Sequence, residues 1–392
     1  MPTRRRSRRK ITRLRATNPL GVPGVMSFDQ RIVKFEPQRK WRKWMDDRLL
    51  PGFIDLQVNG AFGIDVMSAS AEGLLELSRR LVHEGTTAWV PTVITSPLDR
   101  IERCDAIIAE AMAAQVEMEA AARRGSESAS AAAILGMHLE GPFIAAGRLG
   151  AHPRLNLTPR GDALERILAL RTLKLITLAP ELDGAIEAIR ALTARGVVVS
   201  LGHSDATYDE AAAAVAAGAR MFTHVFNAMR PMHHREPGIA GAALTLRDAY
   251  AALIADGVHV HPATLRMAWL TRQPDHVIFT TDRVAAAGAE NCTGGALFSG
   301  ATTGATVADG AARLADGTIA GSIITMLEAV KVMSRCAAIG VDGAARASSI
   351  NPAQVLGLTD RGSLKRRARA DLILVDRELD LKAVFVGGRE LA

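Results

Sequence analysis

The chain has 392 residues, a formal net charge of +7 and an aromatic content of only 4%. That length exceeds a usual single domain, and so few aromatics leave no evident base-stacking platform for nucleic acid. The charge is local: residues 1–15 hold eight Lys and Arg and no acid, so the other 377 residues carry a net −1. Within that arm SRRK (Ser7–Lys10) has the look of a twin-arginine export signal, but the following residues are broken by Asn18, Pro19, Gly21, Pro23 and Gly24 and supply no apolar stretch behind it. Residues 1–24 are therefore expected to be a disordered basic extension, since solvated charge runs are mostly tails. Alternation over Arg31–Phe35 predicts a strand, and QRKWRKWMDDR (Gln38–Arg48) follows with no helical or strand period.

From Pro51 onward eight short apolar runs appear in series: Phe53–Asn59, Ala88–Thr92, Ala133–Glu140, Lys174–Glu181, Val197–His203, Met221–His224, Tyr250–Asp256 and Val277–Asp282. Between most of them lie Ala- and Leu-rich stretches of helical period, such as Ala71–Glu84, Asp162–Leu170, Asp183–Arg195 and Tyr208–Gly218. A long helix is predicted over Leu98–Arg124, followed by a polar surface loop over Ala120–Ala132. Strand and helix in strict alternation require parallel strands with crossover helices, and eight such units have the size of a closed (β/α)8 barrel of the TIM type, spanning 51–352. The tail alternates apolar runs (Leu372–Val375, Ala383–Val386) with Gly and charged turns. Residues 25–50 and 353–392 are accordingly assigned to a small β-sandwich-like domain built from both chain ends. No run of 18 apolar residues occurs, which argues against a membrane span. Cys104, Cys292 and Cys336 are odd in number and in no CxxC pair, so neither a disulfide framework nor cysteine-held zinc is expected, and a reducing cytoplasm is the expected location.

The chemistry collects where barrel active sites lie, at the C-terminal ends of the strands. Glu140, His203 and His224 close the third, fifth and sixth runs, and two imidazoles with one carboxylate leave a tetrahedral divalent ion one open position, the pattern of catalytic zinc. Asp282 closes the eighth and is the candidate general base. Taken singly each reads more readily as a hydrogen-bonded structural residue than as a ligand; four around one mouth do not. His138, two before Glu140, faces the same way along a regular strand and is expected beside the site rather than on the ion.

The strings PGFIDLQVNG (Pro51–Gly60), HLEGPFI (His138–Ile144), GAH (Gly150–His152), LGHSDAT (Leu201–Thr207), THVFNAM (Thr223–Met229), REPG (Arg235–Gly238), ADGVHV (Ala255–Val260), TTD (Thr280–Asp282) and IAGS (Ile319–Ser322) appear in this order. The chain from about residue 51 onward resembles the N-acetylglucosamine-6-phosphate deacetylases of the amidohydrolase superfamily. The resemblance implies Glu140, His203 and His224 as ligands of one divalent metal ion per subunit, Zn2+ first and Fe2+, Mn2+ or Co2+ as alternatives, with Asp282 catalytic. It implies substrate-binding positions at Ala151, His152, Asn227, Ala228, Arg235, Asp256, Gly257, Val258, His259, Ile319, Ala320 and Gly321. Arg235 offers a fork of donors to a phosphate, His259 a further donor, and His152 a group to orient the acetyl carbonyl.

Where many superfamily members carry His-x-His, this chain has Gln57 and Asn59; amides are poor ligands, so one metal is expected with these two hydrogen-bonding nearby. Arg283 stands where the family has a small residue after the aspartate, and alternation turns it away from the pocket. The implied activity is hydrolysis of the N-acetyl group of a phosphorylated amino sugar, N-acetylglucosamine 6-phosphate, by a homodimer with no nucleic-acid or membrane partner. The alternatives are the galacto isomer, N-acetylgalactosamine 6-phosphate, and a catalytically impaired sugar-phosphate binder.

Overall fold

The computed structural model describes residues 11–38, 46–123, 130–272, 274–289 and 305–391, with the backbone alone at 122 and 123. Eight parallel strands follow one another around a barrel: β1 (Phe53–Val58), β2 (Thr86–Ile94), β3 (Met137–Glu140), β4 (Leu173–Leu178), β5 (Val198–Leu201), β6 (Met221–Phe222), β7 (Tyr250–Ile254) and β8 (Val277–Thr280). Nearly every residue in them is buried, as expected when helices cover the outer face and side chains fill the interior. Helices Ala71–Leu81, Leu98–Arg123, Gly161–Ala169, Ala185–Ala194 and Tyr208–Ala217 fall on the predicted periodic stretches. The helix after β5 begins where Thr207 and Glu210 form a reciprocal capping box, which fixes the chain's exit from the LGHSDAT turn. Among the described residues no helix is long and apolar enough to cross a membrane.

The seam between β8 and β1 is closed by backbone bonds from Asp282 N to Gln57 O (2.9 Å) and from Asn59 N to Arg283 O (2.8 Å). Beneath it Asp55, 1% exposed, accepts from Thr280 Oγ1 (3.0 Å), Thr281 Oγ1 (2.6 Å), Thr281 N (3.2 Å) and Gln57 N (3.3 Å). Burial lifts this carboxyl above the ordinary aspartate value, and the four donors hold against that rise. One buried side chain thus ties together the two strand ends that carry Gln57, Asn59 and Asp282.

Both chain ends build a second, seven-stranded sheet in the order Arg389–Glu390, Leu381–Val386, Leu372–Val375, Arg48–Pro51, Thr12–Thr17, Pro23–Phe28, Ile32–Pro37. Its core includes Ala16, Met26, Phe28, Ile32, Leu49, Leu372 and Phe385. The expectation of an unstructured extension through residue 24 needs correction here. Thr12–Thr17 is a strand paired antiparallel with Pro23–Phe28, and Asn18 and Gly21 make the turn between them. The run of arginines hides the pattern: Arg13 and Arg15 are exposed while Leu14 and Ala16 face inward, a period of two. Residues 1–10 and 39–45, most of the basic arm and of the tryptophan-bearing stretch, lie outside the described residues, as do 124–129 of the polar loop. The first part of that loop, 120–123, continues the long helix instead.

Candidate active site

Three of the four chemically expected residues leave their strands through the left-handed region, with φ of +49° at His203, +27° at His224 and +50° at Asp282. Residues with side chains are strained there, and the strain persists only where surrounding contacts over-determine the turn. Those contacts are evident. His203 Nδ1 donates to the carbonyl of Arg148 (2.8 Å), Asn227 Nδ2 donates to His224 O (3.1 Å), and Asp282 O accepts from Ser322 N (2.9 Å). Gly321 must be glycine: it sits at φ +140°, and a Cβ would lie 2.9 Å from Asp282 O and 2.5 Å from Val284 Cγ1.

These turns aim three donor atoms at one point. His203 Nε2 and His224 Nε2 are 3.1 Å apart and lie 3.2 and 2.9 Å from Glu140 Oε1, all three side chains being at most 5% exposed. Because Nδ1 of His203 carries the proton given to Arg148 O, its Nε2 presents a lone pair. A lone pair facing a second imidazole nitrogen and a carboxylate oxygen at such range is repulsive unless a cation or proton lies between. Metal–ligand bonds of about 2.0–2.1 Å at a tetrahedral centre put donor atoms about 3.3 Å apart, so the set fits a divalent ion. Among the described residues Glu140, His203 and His224 are the group able to hold one.

The expected neighbours gather around it. Gln57 Nε2 donates to Glu140 Oε1 (3.0 Å), and Asn59 Nδ2 to Asp282 Oδ1 (2.7 Å). Gln57 therefore touches both halves of the site, its carbonyl accepting from Asp282 N. His152 Nε2 lies 3.5 Å from Glu140 Oε2, and its Nδ1 is bonded to Thr95 Oγ1 (3.0 Å). Burial, then the nearby His203, takes His152 down to about 4, against the pull of Glu140, so it is neutral at pH 7. Burial acts to raise Glu140, but the close approach of His152, His203 and His224 overcomes it and holds the carboxyl well below its usual range. Asp282 moves the other way: desolvation and the Glu140 charge raise it well above an ordinary aspartate.

His138 lies below the donors, bonded to Thr92 Oγ1 (3.2 Å) and Thr177 Oγ1 (2.8 Å), and burial lowers it to about 4. The remaining expected positions lie on the loops above the strands. Asp256 and His259 pair through Oδ2 and Nδ1 (2.6 Å), with Val258 N and His259 N donating to Asp256 Oδ1 across Gly257. Burial acts to raise Asp256, but the hydrogen bond and charge of His259 outweigh it and lower the carboxyl. Ala228, at φ +49°, accepts from Ser204 N (3.0 Å), and Ala151 packs against the core beside His152. Ile319, Ala320 and Gly321 form a strand bridged to Arg283 through Ser322. Arg235 is not brought to the metal donors. It is exposed in a cleft of about 370 Å³ lined with Thr207, Tyr208, Asp209, Glu236 and Pro237.

Arg283 points away from the pocket, 2% exposed, ion-paired with Glu84 and set 5.1 Å over the Phe62 ring. Its carbonyl takes Asn59 N and Gly60 N, so its peptide is part of the seam. Removing the partner of a buried charge is costly, and Glu84→Ala is expected to lower unfolding stability by roughly 3 kcal/mol, read from the urea midpoint at unchanged slope. A loss below about 0.5 kcal/mol would show the pair to be incidental.

Sequence reasoning missed Thr95, Thr92, Thr177, the Arg148 carbonyl and Glu181, which accepts Ser204 Oγ (2.8 Å) and Asp205 N (2.5 Å) behind the His203 turn. Buried hydroxyls and carbonyls carry no spacing signature, whereas Glu181 ends the fourth apolar run and is visible as a strand-end acid.

The same geometry belongs to a chain with many known relatives. The profile of the Amidohydrolase family matches residues 48–391. The N-acetylglucosamine-6-phosphate deacetylase of Bos taurus is 38% identical over 388 residues, covering 94% of this chain and 90% of its own. That of Bacillus subtilis (strain 168) is 37% identical over 340 residues, covering 86% and 82%. Among solved structures, the same enzyme from Thermotoga maritima superposes with a TM-score of 0.85 at 29% identity over 97% of this chain and 99% of that one. A mutant of the Mycobacterium smegmatis enzyme in complex with N-acetyl-D-glucosamine-6-phosphate gives 0.85 at 31% identity, with the same coverage.

Proposed function

The chain belongs to the amidohydrolase family and, within it, to the N-acetylglucosamine-6-phosphate deacetylases, and from that premise we propose how its own residues hydrolyse N-acetylglucosamine 6-phosphate to glucosamine 6-phosphate and acetate. The observation that carries the reading is the convergence of Glu140, His203 and His224 with Asp282 held beside them by Asn59 and Gln57.

Glu140, His203 and His224 would hold one divalent ion, which when bound lowers the pKa of water to about 7 and polarises a carbonyl. Zinc suits a nitrogen and oxygen donor set of this size. Asp282 has Oδ1 engaged by Asn59, which leaves Oδ2 to accept the proton of the attacking water. The same oxygen, once it carries that proton, is placed to deliver it to the departing amine. His152, kept neutral and oriented by Thr95, is assigned to the acetamido group of the sugar. Backbone groups around Ala228 and Ala320, with the Asp256–His259 pair, are assigned to the hydroxyls and phosphate.

Arg235 is assigned to the phosphate as well, and its exposed position, away from the metal donors, suits service to the site of a neighbouring subunit in a homodimer. Arg235→Ala is expected to raise KM for the phosphorylated sugar at least tenfold with kcat nearly unchanged, a loss of binding alone. An equal change with unphosphorylated N-acetylglucosamine would contradict the assignment, and sedimentation would report the oligomer. Free Cys104 and Cys336 accord with a reducing compartment, the cytoplasm. The reading is tested by measuring acetate release from N-acetylglucosamine 6-phosphate and its galacto isomer by the metal-loaded protein. Turnover of the gluco substrate supports it; inertness toward both overturns it.

A further inference from the structure

A continuous run of hydrogen bonds crosses the barrel interior beneath the metal donors. Val58 N on β1 donates to Thr92 Oγ1 on β2 (3.0 Å); Thr92 meets His138 Nδ1 on β3 (3.2 Å); His138 Nε2 meets Thr177 Oγ1 on β4 (2.8 Å). Thr177 meets Thr223 Oγ1 after β6 (2.7 Å), and Thr223 meets Ser200 Oγ on β5 (2.5 Å). Thr92, His138, Thr177, Ser200 and Thr223 are all 0% exposed. The first six strands are therefore laced together in a layer where apolar residues would ordinarily fill the barrel.

Four of the links sit close to a donor in sequence or register. Thr223 precedes His224, His138 lies two before Glu140, Thr177 is the strand partner of Glu140, and Ser200 lies three before His203. The threonines also shape the His203 turn: a Cβ on Gly202 would come within 2.9 Å of Thr223 Cβ and 3.0 Å of Thr177 Cγ2. A polar layer of this kind is costly when half satisfied and rigid when complete, which makes it a means of fixing strand ends rather than a neutral filling.

We propose that this belt presets the separations of Glu140, His203 and His224, so that His138, Thr177 and Thr223 are positioning residues for the metal ion. The inference rests on the metal site proposed above and adds to it the layer that holds it. Outer partners of metal ligands commonly govern affinity by 10–100-fold, and here they act through the backbone of β3, β5 and β6.

Thr177→Val keeps the shape of the side chain and removes the central hydroxyl, leaving His138 Nε2 and Thr223 Oγ1 facing a methyl group. Zinc affinity of the metal-stripped protein, measured by competition with a chelating dye, is expected to fall at least about tenfold in Thr177→Val and to stay within about threefold in Thr177→Ser. Melting of the metal-free proteins identifies a variant that fails to fold, and Thr223→Val, one link along, then takes its place. A folded valine variant that binds zinc within about threefold of the parent overturns the proposal, as does an equal loss in Thr177→Ser. Parent protein that binds no zinc, or binds it without deacetylating, marks instead the failure of the functional reading.

Discussion

Asp282→Asn is expected to lower kcat by about 10²–10⁴-fold while leaving substrate affinity close to that of the parent. The substitution is nearly isosteric. The amide oxygen can still accept from Asn59 Nδ2, so the short contact that orients the side chain survives. The turn at φ +50° is also one that asparagine adopts more readily than most residues. What disappears is the oxygen that receives a proton from water and returns it to the amine. Single-turnover kinetics with isothermal titration of the phosphorylated sugar separates the two effects. Turnover within about tenfold of the parent would remove Asp282 from the mechanism.

The second large effect concerns Glu140. Glu140→Gln is expected to weaken zinc binding beyond the 10–100-fold typical of outer partners, because an amide is a poor ligand and the charge that balances the cation is gone. The carboxylate oxygen Oε1 also accepts from Gln57 Nε2 and faces both imidazole nitrogens, so it is the one atom that an uncharged amide oxygen would have to replace for the ion and for Gln57 alike. Two readings follow. Chelation should abolish acetate release by the parent, and zinc should restore it; the variant should stay inactive at zinc levels that saturate the parent. An ion present at about 100 times its dissociation constant adds about 2.7 kcal/mol to stability, so zinc should raise the melting temperature of the parent and leave that of Glu140→Gln almost unmoved. Equal zinc-dependent stabilisation of both proteins would refute the assignment of Glu140.

The residues that end the strands are legible in the sequence because β-strands of a barrel announce themselves as short apolar runs, and a charged or imidazole side chain at the end of such a run stands out. Glu140, His203, His224 and Asp282 each stand out in that way, whereas Gln57 and Asn59 read as hydrogen-bonding neighbours only through the family resemblance, as amides where many superfamily members carry His-x-His. Arg283 is turned outward by alternation alone, but its partner Glu84 lies 199 residues away and gives no sign of the pairing. The lacing of Thr92, Thr177 and Thr223 stays hidden for a related reason: threonine is an ordinary strand residue, and only closure of the barrel shows that the hydroxyls meet. The strand Thr12–Thr17 is masked by its charge, since five of the first nine residues are arginine and the eye reads on through Arg13 and Arg15 as though the tail continued. Arg235 is legible as a phosphate group's partner by motif, yet its distance from the metal donors is a property of loop geometry that no spacing encodes.

The seven-stranded sheet has a bearing on biogenesis. Arg48–Pro51, the strand that leads straight into β1, is flanked on one side by Thr12–Thr17 and on the other by Leu372–Val375. During synthesis that second neighbour leaves the ribosome only after all eight barrel strands have emerged. Until then one edge has nothing to pair with, and the apolar Leu49 lacks Leu372, Leu374 and Phe385 of its core cluster. Maturation of the N-terminal segment therefore waits on the arrival of Leu372–Val375, and a message cut short between residue 352 and that strand releases a chain with its barrel elements complete and an unguarded edge, a substrate for chaperones and proteases.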